Sequence, residues 1–193
     1  MEILNRKIIL GSKSPRRKAI LEQAGFQVEV VSFDVEEDYP DTLKVDEIAE
    51  YLAIKKAQPC LPLCTDEAIV ITADSIVVLE GVVYGKPESF EHAVDILSKL
   101  SGNVHQVYTG VCIADRNYKT SFTERSDIRF APLKLEEIHY YLETCKPFDK
   151  AGAYGIQDWI GLCKVEWIDG TFSNIMGLPM ARLYKEIKNW RHI

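Results

Sequence analysis

The run Ile69-Val70-Ile71-Thr72-Ala73-Asp74-Ser75-Ile76-Val77-Val78-Leu79 constrains this chain more than any other stretch. Its β-branched residues and its apolar character predict a buried strand. Helical and extended patterns alternate around it. Lys7 to Leu10 reads as a first strand ending at Gly11. Ser14 is placed to cap a helix through about Ala24, with Pro15 at its first turn and Gly25 as its stop. Gln27 to Val31 is a second strand. Val45, Ile48, Ala49 and Leu52 follow the spacing of an amphipathic helix. After a turn at Gly81 and a short strand to Tyr84, Phe90, Ala93, Val94 and Leu97 mark another. Val104 to Ala114 and Lys119 to Phe130 read as long strands meeting at Asp115-Arg116-Asn117. Leu135, Ile138 and Leu142 form the apolar side of a further helix, and Leu178 to Trp190 forms the last. This alternation with hairpins predicts an α/β fold on a mixed sheet.

The 193 residues are 47% hydrophobic, enough for one globular domain or two closely joined lobes, and no internal boundary is visible. No apolar stretch approaches the roughly 20 residues needed to cross a bilayer. The first residues have too short an apolar run for a signal peptide, so a soluble, cytoplasmic protein with no membrane partner is expected. A formal net charge of −6 argues against a broad nucleic-acid-binding face. The five cysteines form no CxxC pair, and reduced thiols are expected. Residues 29 to 50 hold nine Asp or Glu against Lys44 alone, which on composition is a solvated loop.

Three features carry chemistry. Gly11-Ser12-Lys13-Ser14-Pro15-Arg16-Arg17-Lys18 runs from a strand end into a helix, where free N–H groups, the hydroxyls of Ser12 and Ser14 and the Arg16 fork suit an anion. It lacks the spacing of a Walker A loop, and a capped helix with solvated basic residues is the alternative. Asp74 puts a carboxylate into an apolar strand. That is costly unless it is paired, metal-bound or at an exposed end, so it is a metal ligand, a general base or a structural acid held by backbone N–H groups. Lysines form the third set. Lys56 falls eleven residues after Val45, within roughly 20° of its direction, and continues the core-facing stripe; Lys55 points roughly 80° away. Lys86 lies in a turn after the Asp74 strand, and Lys150 precedes a glycine-containing loop ending in Gln157. No histidine has metal-ligand spacing and no GxSxG motif occurs. Cations, carboxylates and a helix start indicate phosphate chemistry rather than acyl transfer.

Together these pieces resemble the Maf family of nucleoside triphosphate pyrophosphatases. The resemblance rests on Ser12-Lys13-Ser14-Pro15-Arg16-Arg17, Ala53-Ile54-Lys55-Lys56-Ala57, Ala73-Asp74-Ser75 and Gly85-Lys86-Pro87. It continues through Leu100-Ser101-Gly102 with His105, Tyr108-Thr109-Gly110, Lys150-Ala151-Gly152-Ala153-Tyr154-Gly155-Ile156-Gln157 and Gly177-Leu178-Pro179. The blocks lie in order along nearly the whole chain.

The resemblance implies an α/β fold of two lobes around a deep cleft on a long mixed, twisted sheet, in a cytoplasmic homodimer. It implies hydrolysis of a nucleoside triphosphate to the monophosphate and pyrophosphate, with Mg²⁺ or Mn²⁺ as cofactor. Asp74 would be the proton acceptor and, with Glu36, would hold the metal. Glu36, Lys56 and Lys86 match the remaining charged positions; Ser12, Ser14, Arg16, Lys56 and Lys86 would meet phosphate. Arg16, Ser75 and Gln157 match the positions of base specificity. The loop from Lys150 to Gln157 resembles the branch acting on dTTP and UTP. Ser75 stands where threonine is usual, and Asp158-Trp159 follows Gln157 where glycine is usual, which bears on base preference. The alternatives are the same reaction on another base, such as 7-methyl-GTP, or a nucleotide-binding regulator of division without turnover.

Overall fold

The computed structural model describes residues 4, 6–65 and 68–190. In chain order the elements are β1 (Lys7–Gly11), α1 (Pro15–Gln23), β2 (Gln27–Val31), α2 (Val45–Ala57), a 3-10 segment (Gln58–Leu63), β3 (Ala68–Leu79), β4 (Val82–Tyr84) and α3 (Phe90–Leu100). Then follow β5 (Val104–Ala114), β6 (Lys119–Phe130), α4 (Leu135–Cys145), a 3-10 turn (Ala151–Ala153), α5 (Trp159–Lys164), β7 (Val165–Asp169), α6 (Phe172–Ile175) and α7 (Met180–Asn189). Among the described residues the strands form one seven-stranded sheet in the order β2-β1-β3-β5-β6-β7, with β4 paired to β3. It is mixed: β1 runs parallel to β2 and β3, while β4 is antiparallel to β3 and β7 to β6. No helix among the described residues is long and apolar enough to cross a membrane.

The contacts divide the chain into two compact units, one of Met1–Asp74, Thr109–Glu124 and Gly177–Ile193, the other of Ser75–Tyr108 and Arg125–Met176. In the first unit, Ile9, Cys60, Cys64, Ala68 and Val70 form one buried cluster, and Ala53, Ala57 and Cys112 another. Small residues let α2 lie close to the strands. A Cβ on Gly110 would overlap the Ala49–Glu50 backbone, and one on Gly11 would come within 2.7 Å of both Cys60 Sγ and Thr72 Cγ2. All five cysteines are free; burial pushes the Cys112 thiol up to about 11, so it behaves as a small apolar group. The expected turn between β5 and β6 is present: Asp115 Oδ1 accepts from the N–H groups of Asn117 and Tyr118 at 2.7 Å each.

The second unit has its own apolar centre, including Val77, Ile96, Leu97, Leu100, Ile128, Phe130, Tyr141 and Leu142. Each such side chain contributes on the order of 2 kcal/mol by leaving water. Helix α3 follows the expected stripe, with Ala93, Ile96, Leu97 and Leu100 buried, and Ser89 Oγ accepts from the His92 N–H. Two expectations need correction. Leu135 is exposed, because it opens α4 and the inward face begins at Ile138. The last helix starts at Met180 rather than Leu178, since Pro179 stands at its N-cap with a non-helical backbone. The short strand β7 carries no strong pattern and escapes the sequence reading.

Candidate active site

In the first unit the site is set by the match between β3 and α2. Side chains two apart on a strand share a face, and side chains three apart on a helix are neighbours. Thr72 and Asp74 are such a pair on β3, Ala53 and Lys56 on α2. Thr72 Oγ1 donates to the Ala53 carbonyl at 2.7 Å, and this lock brings the Lys56 ammonium onto Asp74 Oδ1. Asp74 is buried, and the Lys56 side chain is 18% exposed. The carboxylate that the apolar strand could not hold alone is therefore paired.

Lys56 also donates to Glu37 Oε1 at 2.8 Å. The acidic segment is fastened at two further points, Asp34 to Lys13 at 2.5 Å and Asp38 to Lys55 at 2.5 Å. Both aspartates are held below the usual carboxylate range, first by these hydrogen bonds. The stretch that composition marks as solvated loop is thus tied by three lysines, Lys55 and Lys56 of α2 and Lys13 of the segment between β1 and α1. Glu37, not Glu36, shares Lys56 with Asp74; Glu36 is exposed, and its charge acts on Lys55.

At the start of α1, Ser14 holds the N-cap position and Pro15 the first turn, as the sequence indicates. The Ser14 hydroxyl makes no capping bond, however. Ser12 Oγ accepts instead, from the Ser14 N–H at 3.2 Å and from Arg17 Nη1 at 3.3 Å. Arg17 Nε donates to the Gly177 carbonyl at 2.7 Å. Burial pushes the Arg17 guanidinium down and the charge of Asp74 pulls it back up, with smaller effects from Arg16 and Glu37. Arg17 and Glu37 are the site residues that sequence reasoning passed over. A signal for Arg17 existed: it lies three and four residues before Ile20 and Leu21, the buried positions of α1.

The second unit holds Ser75, Lys86, Lys150 and Gln157. The Gly152 N–H donates to the Gly85 carbonyl at 3.1 Å, so the Gly85-Lys86-Pro87 turn and the Lys150–Gln157 loop are joined. Gly152 has φ of 69° and its missing Cβ leaves room for Val77, whose Cγ2 a methyl would approach to 2.7 Å. The loop is anchored by Tyr154, whose Oη shares a hydrogen bond with His105 Nε2 at 2.8 Å while both rings pack edge-on with Phe130. Burial holds His105 down to about 3, so this histidine is a neutral structural group. Lys86 is exposed and Ser75 half-buried, directly after Asp74 on β3.

Among the described residues no three His, Cys, Asp or Glu side chains gather around a common metal position. Asp74 and Glu37 do converge on one cation, the Lys56 ammonium. Carboxylates that share one positive charge are the hard oxygen donors that a small divalent ion would use.

Residues 7–190 match the family model described as Maf-like protein. A dTTP/UTP pyrophosphatase of Phocaeicola vulgatus is 49% identical over 183 residues, covering 94% of this chain and 95% of the relative. Proteins given the same name from Bacteroides thetaiotaomicron and Parabacteroides distasonis are 48% and 47% identical, over 94% and 95% of this chain and 95% and 96% of their own. The solved Ham1 protein of Staphylococcus aureus shares 18% identity at a TM-score of 0.45, over 65% of this chain and 72% of that one, a likeness too slight to enter the assignment. With its motifs in order and relatives that match it almost end to end, the chain belongs to the Maf family.

Proposed function

We propose that this protein hydrolyses dTTP and UTP between the α and β phosphates, releasing the nucleoside monophosphate and pyrophosphate. The relatives at 45–49% identity bear that activity in their names, and the observation that carries it here is the buried Asp74 carboxylate held by Lys56 beside Arg17. Attack on a phosphoanhydride needs a water oxygen to bond to the α phosphorus as its bond to the bridging oxygen breaks, a base for the water's proton, and positive groups to neutralise the negative charge that builds on the departing pyrophosphate. Lys56 engages one Asp74 oxygen and steadies the other to take the proton. Arg17 carries its charge to the same neighbourhood, and the α1 start, with Ser12, Ser14 and Arg16, receives phosphate oxygens. The family resemblance gives Lys86 a phosphate-binding role and Ser75 and Gln157 a role in choice of base.

Asp74 and Glu37, with Glu36 close in sequence, are the carboxylates that would hold Mg²⁺ or Mn²⁺. When bound, the ion neutralises phosphate oxygens and acidifies coordinated water. A cytoplasmic homodimer is part of the same reading.

A panel of UTP, dTTP, CTP, ATP and 7-methyl-GTP, assayed for pyrophosphate and monophosphate, tests the reading. Efficient release of pyrophosphate from UTP and dTTP is expected, abolished by EDTA and restored by Mg²⁺ or Mn²⁺. Preference for 7-methyl-GTP, or release of orthophosphate only, contradicts it.

A further inference from the structure

Asp158 stands where a helix-capping acid belongs and does not cap. It holds the N-cap position of α5, yet its side chain makes no capping bond, although such a bond is worth about 1 kcal/mol. The carboxylate is turned the other way. Its Oδ2 accepts from Tyr141 Oη at 3.0 Å and its Oδ1 accepts from Gln157 Nε2 at 3.1 Å. Tyr141 is locked as the donor: its oxygen already accepts from the Gly155 N–H at 3.0 Å, and burial pushes its phenol well above the usual range, so the proton stays. Gly155 is required beneath this arrangement, since a Cβ there would come within 2.5 Å of Asp158 Oδ2 and 2.7 Å of Gln157 Nε2.

The direction of every bond follows. A carboxylate only accepts, so the side of the Gln157 amide facing Asp158 has to be the NH₂ group. The carbonyl oxygen is left pointing elsewhere. Gln157 Oε1 is buried and accepts no hydrogen bond among the described residues, and a buried acceptor without a donor is costly.

We propose that Asp158 is a positioning residue for base choice: through the Tyr141–Asp158–Gln157 chain it fixes the Gln157 amide with its oxygen turned away from Asp158 and without a protein donor among the described residues, so that it accepts from the ring imide N–H of a uracil or thymine. This rests on the reading of dTTP and UTP as substrates. Cytosine presents an unprotonated ring nitrogen at that position, and two acceptors facing each other repel. An unrestrained glutamine could turn its amide over and offer NH₂ to cytosine; Asp158 forbids the turn.

The test compares kcat/KM for UTP, CTP and UTP methylated at the ring imide nitrogen, in the wild type, Asp158→Asn, Asp158→Ala and Tyr141→Phe. The wild type should favour UTP over both others. Asp158→Asn keeps size and shape, but Tyr141 donates to its one oxygen and its NH₂ then faces Gln157, which turns over. The UTP to CTP ratio should fall tenfold or more in this variant and in Asp158→Ala, and by less in Tyr141→Phe. The penalty for imide methylation should shrink in parallel. A role in loop stability alone would lower activity on all three substrates together and leave the ratios unmoved. A UTP preference that survives unchanged in folded Asp158→Asn overturns the proposal while the substrate reading stands. Absence of any UTP preference in the wild type removes that reading and the proposal with it.

Discussion

Lys56 and Asp74, eighteen residues apart, are brought together in the first unit by a hydrogen bond that involves neither of them, from Thr72 to the Ala53 carbonyl. A strand with a period of two and a helix with a period near four have to be phased for the ammonium to meet the carboxylate. Thr72 sets that phase, and Gly11 and Gly110 let the helix and strands come close enough to keep it.

Lys56→Ala leaves Asp74 and Glu37 facing each other without their shared cation. Truncating one member of a buried charge pair removes transition-state charge stabilisation and strands the other. A drop in kcat/KM of about 10²-fold is expected, with retained circular dichroism. Activity within twofold of wild type would show that the pair takes no part in turnover.

Gly110→Ala should be among the most damaging methyl additions in the chain. The new Cβ would overlap the α2 backbone at Ala49–Glu50, and a helix backbone cannot swing aside as a side chain can. We expect a loss of about 3 kcal/mol in urea unfolding, with activity falling as α2 shifts Lys56. A loss under about 0.5 kcal/mol would refute the close approach.

His105 gives stability a defined pH dependence. In the native protein it is held down to about 3 by burial, against 6.5 when unperturbed. Between those values the unfolded chain binds a proton that the folded chain refuses. Stability is therefore unaffected by this group above about pH 6.5 and falls as pH drops toward 3, by about 1.4 kcal/mol per pH unit. His105→Gln should flatten that slope between pH 6 and 4 in denaturant titrations. An unchanged slope would mean that other groups set it.

Much of this was readable from residue order, and the exceptions have physical causes. The extents of β5 and β6 follow from the turn at Asp115, and the inward direction of Lys56 follows from its phase after Val45. Glu37 was not distinguishable from Glu36, because residues 32–40 have no regular period to say which acid faces Lys56. Arg17 was hidden beside Arg16, although the spacing to Ile20 and Leu21 marks it as the inward one. Asp158 showed in sequence only as a departure from a glycine, and its engagement of Gln157 depends on Tyr141, contributed by another helix.

Asp74→Asn tests the central claim most directly. The amide keeps the shape of the carboxylate and can still face Lys56 through its oxygen, but it cannot take a proton from water. With thermal unfolding followed in parallel, pyrophosphate release from dTTP should fall by at least about 10³-fold while the variant still unfolds cooperatively. A folded Asp74→Asn protein that releases pyrophosphate at a rate close to wild type would contradict the assignment of Asp74 as the base.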